Sequence, residues 1–215
     1  MFSPIAICNQ NRKRGFMGIY RSQFRGIEKS PECEIYVVKD GLLVAPFDIC
    51  IFELGFNDSP NPTPVDKLRY LIDAPVKNTA GAEIGTIKSF DLPLGSSNFK
   101  PVVFVELNKD TQVLIPNRLA AKPSEVEEGD TVSLSINGVN VSGNVEKRID
   151  EYPYLIPGWR VQAYLVKFNR KLTNNVHGAP VVLTSSKKLL GMLIITEYNM
   201  TNGTTKALVF PAHLI

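Results

Sequence analysis

Imidazole chemistry has two places to occur in this chain of 215 residues, His177 and His213, both in its last quarter. A nucleophilic hydrolase needs an activated hydroxyl or thiol, a base within hydrogen-bond reach, and N–H donors where negative charge develops. Any such site here has to be built around one of these two rings. The three cysteines, Cys8, Cys33 and Cys50, fall in the first quarter without a Cys-x-x-Cys pair. An odd, dispersed set is neither a disulfide framework nor half of a zinc site, so the thiols are expected to be reduced and structural. A zinc or iron centre would have to draw most of its ligands from carboxylates, and no metal is expected. The spacing Gly81-x-x-x-Gly85 lacks the lysine and the helix that complete a phosphate-cradling loop, so no nucleotide or other cofactor is expected. Glu125, Glu127, Glu128 and Asp130 crowd into one short stretch and read as a solvated loop, because hydrolytic carboxylate pairs converge from separate elements.

Length and composition bound the rest. The chain is 44% hydrophobic and 21% charged, the make-up of a globular protein with one large or two small cores. No apolar run approaches the roughly 20 residues that cross a bilayer. The opening MFSPIAICNQNRKRGF has too short an apolar patch for a secretory signal, so a cytoplasmic protein without a membrane anchor is expected. The net charge of +3 has a local origin: residues 11–27 carry Arg12, Lys13, Arg14, Arg21 and Arg25 and no acid. Phe16, Tyr20 and Phe24 recur every four residues through this arm. Nucleic acid or another anionic surface could meet both charge and rings there. The plainer reading is a solvated arm whose aromatics pack on the body.

The elements that must position these groups are short strands. Fifteen Gly and fifteen Pro are dispersed along the chain and punctuate runs rich in β-branched and aromatic residues, which predicts an all-β fold. Strands are expected at 34–38, 41–44, 49–54, 85–90, 102–107, 112–115, 131–136, 139–145, 161–168, 180–183 and 189–196. Only Pro64–Asp73 has helical spacing, with Val65, Leu68, Leu71 and Ile72 on one face. The stretch NDSPNPTP at 57–64 has the composition of a linker. It suggests an N-terminal β-rich part, 1–73, followed by a C-terminal barrel, 74–215. The loop from Pro116 to Gly129 has room for one helical turn. Gly81–Asp91 and Gly138–Asp150 share a Gly–strand–Gly–strand–Asp pattern that suits a tightly coiled barrel, and both are expected among the barrel strands. Trp159, the single tryptophan, is expected in the core at a barrel end.

One resemblance emerges near the C-terminus. Asn174-Asn175-Val176-His177-Gly178-Ala179-Pro180-Val181-Val182, then Leu189-Leu190-Gly191-Met192-Leu193-Ile194, then Ala207-Leu208-Val209-Phe210-Pro211-Ala212 together resemble the nucleophile loop and closing strands of the chymotrypsin/trypsin-like serine proteases. In that family a Gly-Asp-Ser-Gly-Gly/Ala-Pro-Val loop leads into a strand, a turn and a Gly-containing apolar strand. The resemblance implies trypsin-like antiparallel β-barrels, the second best supported, with the first seventy-odd residues forming a truncated barrel or an extension. It sets His177 at the nucleophile, Val176 at the aspartate that organises the loop and Asn175 at the oxyanion-hole glycine, while Gly178 is kept. Asp48, opening the apolar strand Asp48-Ile49-Cys50-Ile51, would stand at the triad carboxylate. The family's base lies in the first barrel, upstream of that carboxylate, and no histidine precedes His177.

The scaffold half of the motif is therefore present and the attacking half replaced. The resemblance then implies a non-catalytic protein whose surface around Asn175, Val176, His177 and Gly178 receives a protein partner, by strand addition if the family's binding mode persists. Two other readings stay open. In one, a hydrolase with a shifted site uses Ser185, Ser186 or Cys50 with His177 or His213 as base. In the other, nucleic acid binds through Arg12, Arg14, Arg21 and Arg25.

Overall fold

The computed structural model describes residues 6–7, 33–34, 37–39, 42–47, 71–77, 83–91, 99–109, 111, 118–136, 139–154, 159–172 and 176–215. These residues form thirteen strands and no long helix: β1 Ala6–Ile7, β2 Cys33–Glu34, β3 Val37–Lys39, β4 Leu42–Pro46, β5 Pro75–Lys77, β6 Glu83–Phe90, β7 Val102–Leu107, β8 Thr131–Ile136, β9 Val139–Pro153, β10 Arg160–Phe168, β11 Pro180–Leu183, β12 Leu189–Asn199 and β13 Thr204–Pro211. All pairings between strands are antiparallel. The fold is all-β, as the dispersed glycines and prolines lead one to expect. None of the described helices is long and apolar enough to cross a membrane.

Two sheets carry the architecture. Strands β3-β4-β7-β6-β5 form a five-stranded sheet, and β10-β13-β12-β11-β8-β9 close into a six-stranded barrel. The pairing corrects one expectation. Glu83–Phe90, read from sequence as a barrel strand, joins the N-terminal sheet, where Ile87 lies opposite Val105. Sequence could not separate the two because the glycine pattern answers the same local need in each. A Cβ on Gly85 would stand 2.2 Å from the Glu106 carbonyl oxygen, and one on Gly143 would stand 2.7 Å from that of Lys167. Each strand has to pass close to its neighbour's backbone, and each uses a residue without a side chain to do so.

Barrel closure explains the long apolar runs in the second half of the chain. Along β13, Ala207 and Val209 point into the barrel interior while Leu208 and Phe210 point outward into a second core. Strand β12 divides likewise, with Leu190 and Leu193 inside and Leu189, Met192 and Ile194 outside. In β10, Tyr164, Val166 and Phe168 fill the interior, and Val161 and Ala163 face out. Ala163 and Tyr164, neighbours on opposite faces, are both buried because each face meets its own core. A strand buried on both faces loses the apolar–polar alternation of a half-exposed one, which is why LLGMLII and ALVF read as unbroken hydrophobic stretches.

The outward core is shared with the N-terminal sheet, which contributes Leu43, Val44, Ala45, Val76, Ile87 and Val103 among others. At its centre five rings meet. Phe47 lies 5.0 Å from Phe99, edge to face, and 5.8 Å from Trp159, while Phe99 lies 4.3 Å from Trp159 and 5.4 Å from Tyr154. Phe90 completes the group against Phe47 at 5.9 Å. Each such pair adds roughly 0.5–1.5 kcal/mol beyond the area it buries. Backbone bonds hold the rings in place: Phe47 N donates to Pro101 O, Phe99 N to Arg160 O and Tyr154 N to Trp159 O. Trp159 thus belongs to the core, at the contact between the barrel and the sheet.

Smaller expectations divide. The loop expected to hold one helical turn does so, as a 3-10 turn at Pro123–Glu125. Of the apolar face expected for Pro64–Asp73, Leu71 is buried and Ile72 is exposed; Val65 and Leu68 lie outside the described residues, as do the expected strands 49–54 and 112–115. Strand β9 runs to Pro153 rather than stopping at Val145. The charged run after Val145 stays paired with β10, from Lys147 opposite Leu165 to Pro153 opposite Arg160.

Two polar groups sit uneasily in this core, and each yields a test. The Tyr164 hydroxyl is buried with no hydrogen-bond partner among the described residues, and burial pushes its phenol pKa above 10.0. An unsatisfied buried hydroxyl costs about 1–3 kcal/mol, so Tyr164→Phe is expected to leave stability unchanged or raise it by about 1 kcal/mol in urea unfolding. A loss above 2 kcal/mol would show that the hydroxyl has a partner. His213, in the C-terminal 3-10 turn Ala212–Leu214, has its Nδ1 buried. Desolvation, and then the positive charge of Arg148, hold its pKa below 6.5. The unfolded chain therefore takes up a proton more readily, so His213 favours the folded state fully above pH 6.5 and less as pH falls through its lower folded value. His213→Gln is expected to flatten that part of the acid-side loss of stability when unfolding is followed between pH 5 and 8.

Candidate functional site

The turn that enters β11 is built by the barrel. Leu172, which leads toward it, is buried, and its N–H donates to Thr205 Oγ1 at 3.1 Å. That hydroxyl donates in turn to the Arg170 carbonyl at 2.8 Å. Val176 begins the described part of the turn, fully buried among the interior residues of the barrel. His177 follows at 6% exposure. Gly178 then takes φ +86°, a left-handed conformation that costs a residue with a Cβ about 1–2 kcal/mol. Its N–H donates to Leu193 O at 2.8 Å, Leu193 N–H donates back to Ala179 O at 3.0 Å, and Ala179 N–H closes the turn on Val176 O at 3.0 Å. The turn is thereby laid against β12 as an extension of the barrel ladder.

The turn is a sharp, backbone-bonded reversal that presents position 177 just before β11. The side chain at that position is an imidazole. Where the resemblance places a loop-organising carboxylate, Val176 fills the barrel interior with methyl groups, so the turn is anchored by packing instead of an ion pair. The Gly178 N–H is committed to Leu193 O and is not a donor for a bound oxyanion. Asn175 lies outside the described residues, as do Asp48, Cys50 and the arginines Arg12, Arg14, Arg21 and Arg25.

The first half of the chain contains no histidine. Its contribution to the contact with the barrel is apolar, with Phe47 at the end of β4 and Phe99 just before β7 turned toward Trp159. Sequence reasoning singled out Trp159 but missed Phe47 and Phe99 as its partners. The only available signal was that each aromatic stands near the end of an expected strand.

Ser185 and Ser186 occupy an exposed turn between β11 and β12. Ser186 Oγ accepts a bond from Lys188 N at 3.4 Å, a contact at the long limit. A lysine can act as base to a serine only when neutral. Lys188 Nζ instead pairs with Glu125 Oε1 at 2.5 Å, and its bond to Glu125 is the first cause holding that carboxyl below 4.5. Glu125 is therefore charged at neutral pH, and Lys188 Nζ is engaged with it rather than with Ser186. Among the described residues no three His, Cys, Asp or Glu side chains converge to hold a metal.

No protein-family model and no curated protein matches the sequence. Solved structures do match in shape. A glutamic-acid-specific serine protease that uses a histidine triad in substrate binding aligns with a TM-score of 0.54 at 12% identity, over 86% of this chain and 88% of that one. Cellulomonas bogoriensis chymotrypsin aligns at 0.51 and 14% identity, over 85% of each chain. The HRV-C 3C protein, solved with rupintrivir, aligns at 0.51 and 9% identity over 99% of this chain and 93% of its own. Identities this low speak for shape alone. A closed six-stranded barrel, an N-terminal antiparallel sheet packed on it and a left-handed glycine turn before β11 together make this the chymotrypsin/trypsin-like fold.

Proposed function

We propose that the chain is a catalytically inactive homologue of the trypsin-like proteases that acts in the cytoplasm as a protein-binding or scaffold module. The observation that carries this reading is His177, an almost fully buried imidazole at the nucleophile position of a turn whose backbone bonds to β12 are intact. Supporting it, the chain has no histidine upstream to serve as base, and Val176 stands in the hydrophobic interior where a carboxylate would organise the loop. The recognition site is then the surface flanking the turn at positions 175–178, whose Val176, His177 and Gly178 are themselves buried, and a peptide-like segment of a partner protein is received there by strand addition.

Active-site probes test it. A fluorophosphonate is expected to leave the folded protein unlabelled, and a thiol-directed probe to react no faster with the folded than with the unfolded chain. Stoichiometric labelling that disappears on unfolding would overturn the proposal. Capture from the native host is expected to retain a protein partner through moderate salt and to lose it with His177→Ala. Retention of nucleic acid that falls steeply with salt and vanishes on deleting residues 1–27 would point to the basic arm instead.

A further inference from the structure

Strand β12 leaves the core before it ends. From Leu189 to Ile194 every residue is buried, and from Glu197 to Met200 every residue is exposed, while its partners Thr204 and Thr205 in β13 stay buried and Thr205 pairs onward with Phe168 of β10. The β12–β13 turn therefore stands at the rim of the barrel. It carries Met200, 79% exposed, and beside it lies Tyr198, 37% exposed. An exposed apolar pair at the rim gains little for the fold by being there.

Charge beside the turn gives the pair a direction. Lys171 holds its ammonium 5.3 Å from the centre of the Tyr198 ring, within range of a cation–π contact. Neither Lys171 nor its neighbour Arg170 takes part in an ion pair among the described residues. The other face of the hairpin is balanced, since Lys206 lies opposite Glu197 and 3.8 Å from Glu146. The cationic segment is also fixed in place: Thr205, the buried partner of Tyr198 in β13, accepts from Leu172 N and donates to Arg170 O. Little ordering cost therefore remains for the backbone on binding.

We propose that Tyr198 and Met200, with Arg170 and Lys171, form a docking surface for an acidic peptide segment bearing an apolar side chain. The partner's carboxylates pair with the two cations, and its apolar residue rests on the ring and the thioether. A nucleic acid is the poorer fit, because two cations around one ring fall well short of the about 6–10 phosphate contacts that sustain such binding. The proposal deepens the protein-binding reading above, yet the two fail separately. Covalent labelling by hydrolase probes would sink the inactive-homologue reading without moving peptide affinity, and absent peptide binding would sink the hairpin surface without creating a nucleophile.

Fluorescence anisotropy on the full chain decides it, using a labelled ten-residue peptide of aspartates and glutamates around a central leucine and phenylalanine. Saturable binding is expected, weakened at least fivefold by Lys171→Glu and by Tyr198→Ala, and kept by Tyr198→Phe, which preserves the ring. Lys109→Glu, in the N-terminal half, is expected to leave affinity unchanged, and circular dichroism checks that each variant is folded. No saturable binding, equal weakening by Tyr198→Phe and Tyr198→Ala, or tighter binding of a ten-nucleotide single strand would overturn the proposal.

Discussion

Four strands of the barrel carry buried side chains on both faces, and the rest of the molecule follows from that double burial. Each of β10, β11, β12 and β13 sends side chains both into the barrel and into the core shared with the N-terminal sheet. Substituting one residue on such a strand disturbs one core, while shifting the strand by one residue would exchange the contents of both. Register is accordingly strongly fixed at Leu193, whose backbone N–H and C=O hold the turn at Gly178 and Ala179. The turn inherits its precision from the packing behind it.

This division of labour explains how the turn can hold its shape independently of the side chain at position 177. Nothing that holds positions 176–179 depends on an attacking atom. Val176 contributes apolar burial, Gly178 supplies the left-handed backbone, and β12 accepts and donates the closing bonds. With Val176 in the barrel interior, core packing helps to hold the turn. The five rings at the contact between sheet and barrel act in the same sense, joining the two parts through dispersion and edge-to-face contacts.

How much of this was legible in the sequence depended on whether local chemistry had one meaning or several. Val102–Leu107, Thr131–Ile136 and Pro180–Leu183 lie where their bounding turn residues put them. The unbroken apolar runs marked buried strands but could not reveal that their two faces serve different cores, because that is a property of the partner sheet. Gly85 and Gly143 look alike because both relieve a close backbone approach, so their pattern could not assign Glu83–Phe90 to the N-terminal sheet. The turn at 176–179 was legible from Gly178-Ala179-Pro180 alone. The exposed rim at Tyr198 and Met200 was not, since β12 was expected to end at Thr196 and continues to Asn199 only because β13 stays paired with it to Thr204.

Peptide-bond hydrolysis over an unbiased peptide library, read by mass spectrometry, meets the central claim most directly. A barrel that keeps the turn but has an imidazole in place of the attacking group should produce no cleavage above that of the unfolded chain. Reproducible cleavage at a defined sequence, lost on unfolding and lost in His177→Ala, would contradict the account.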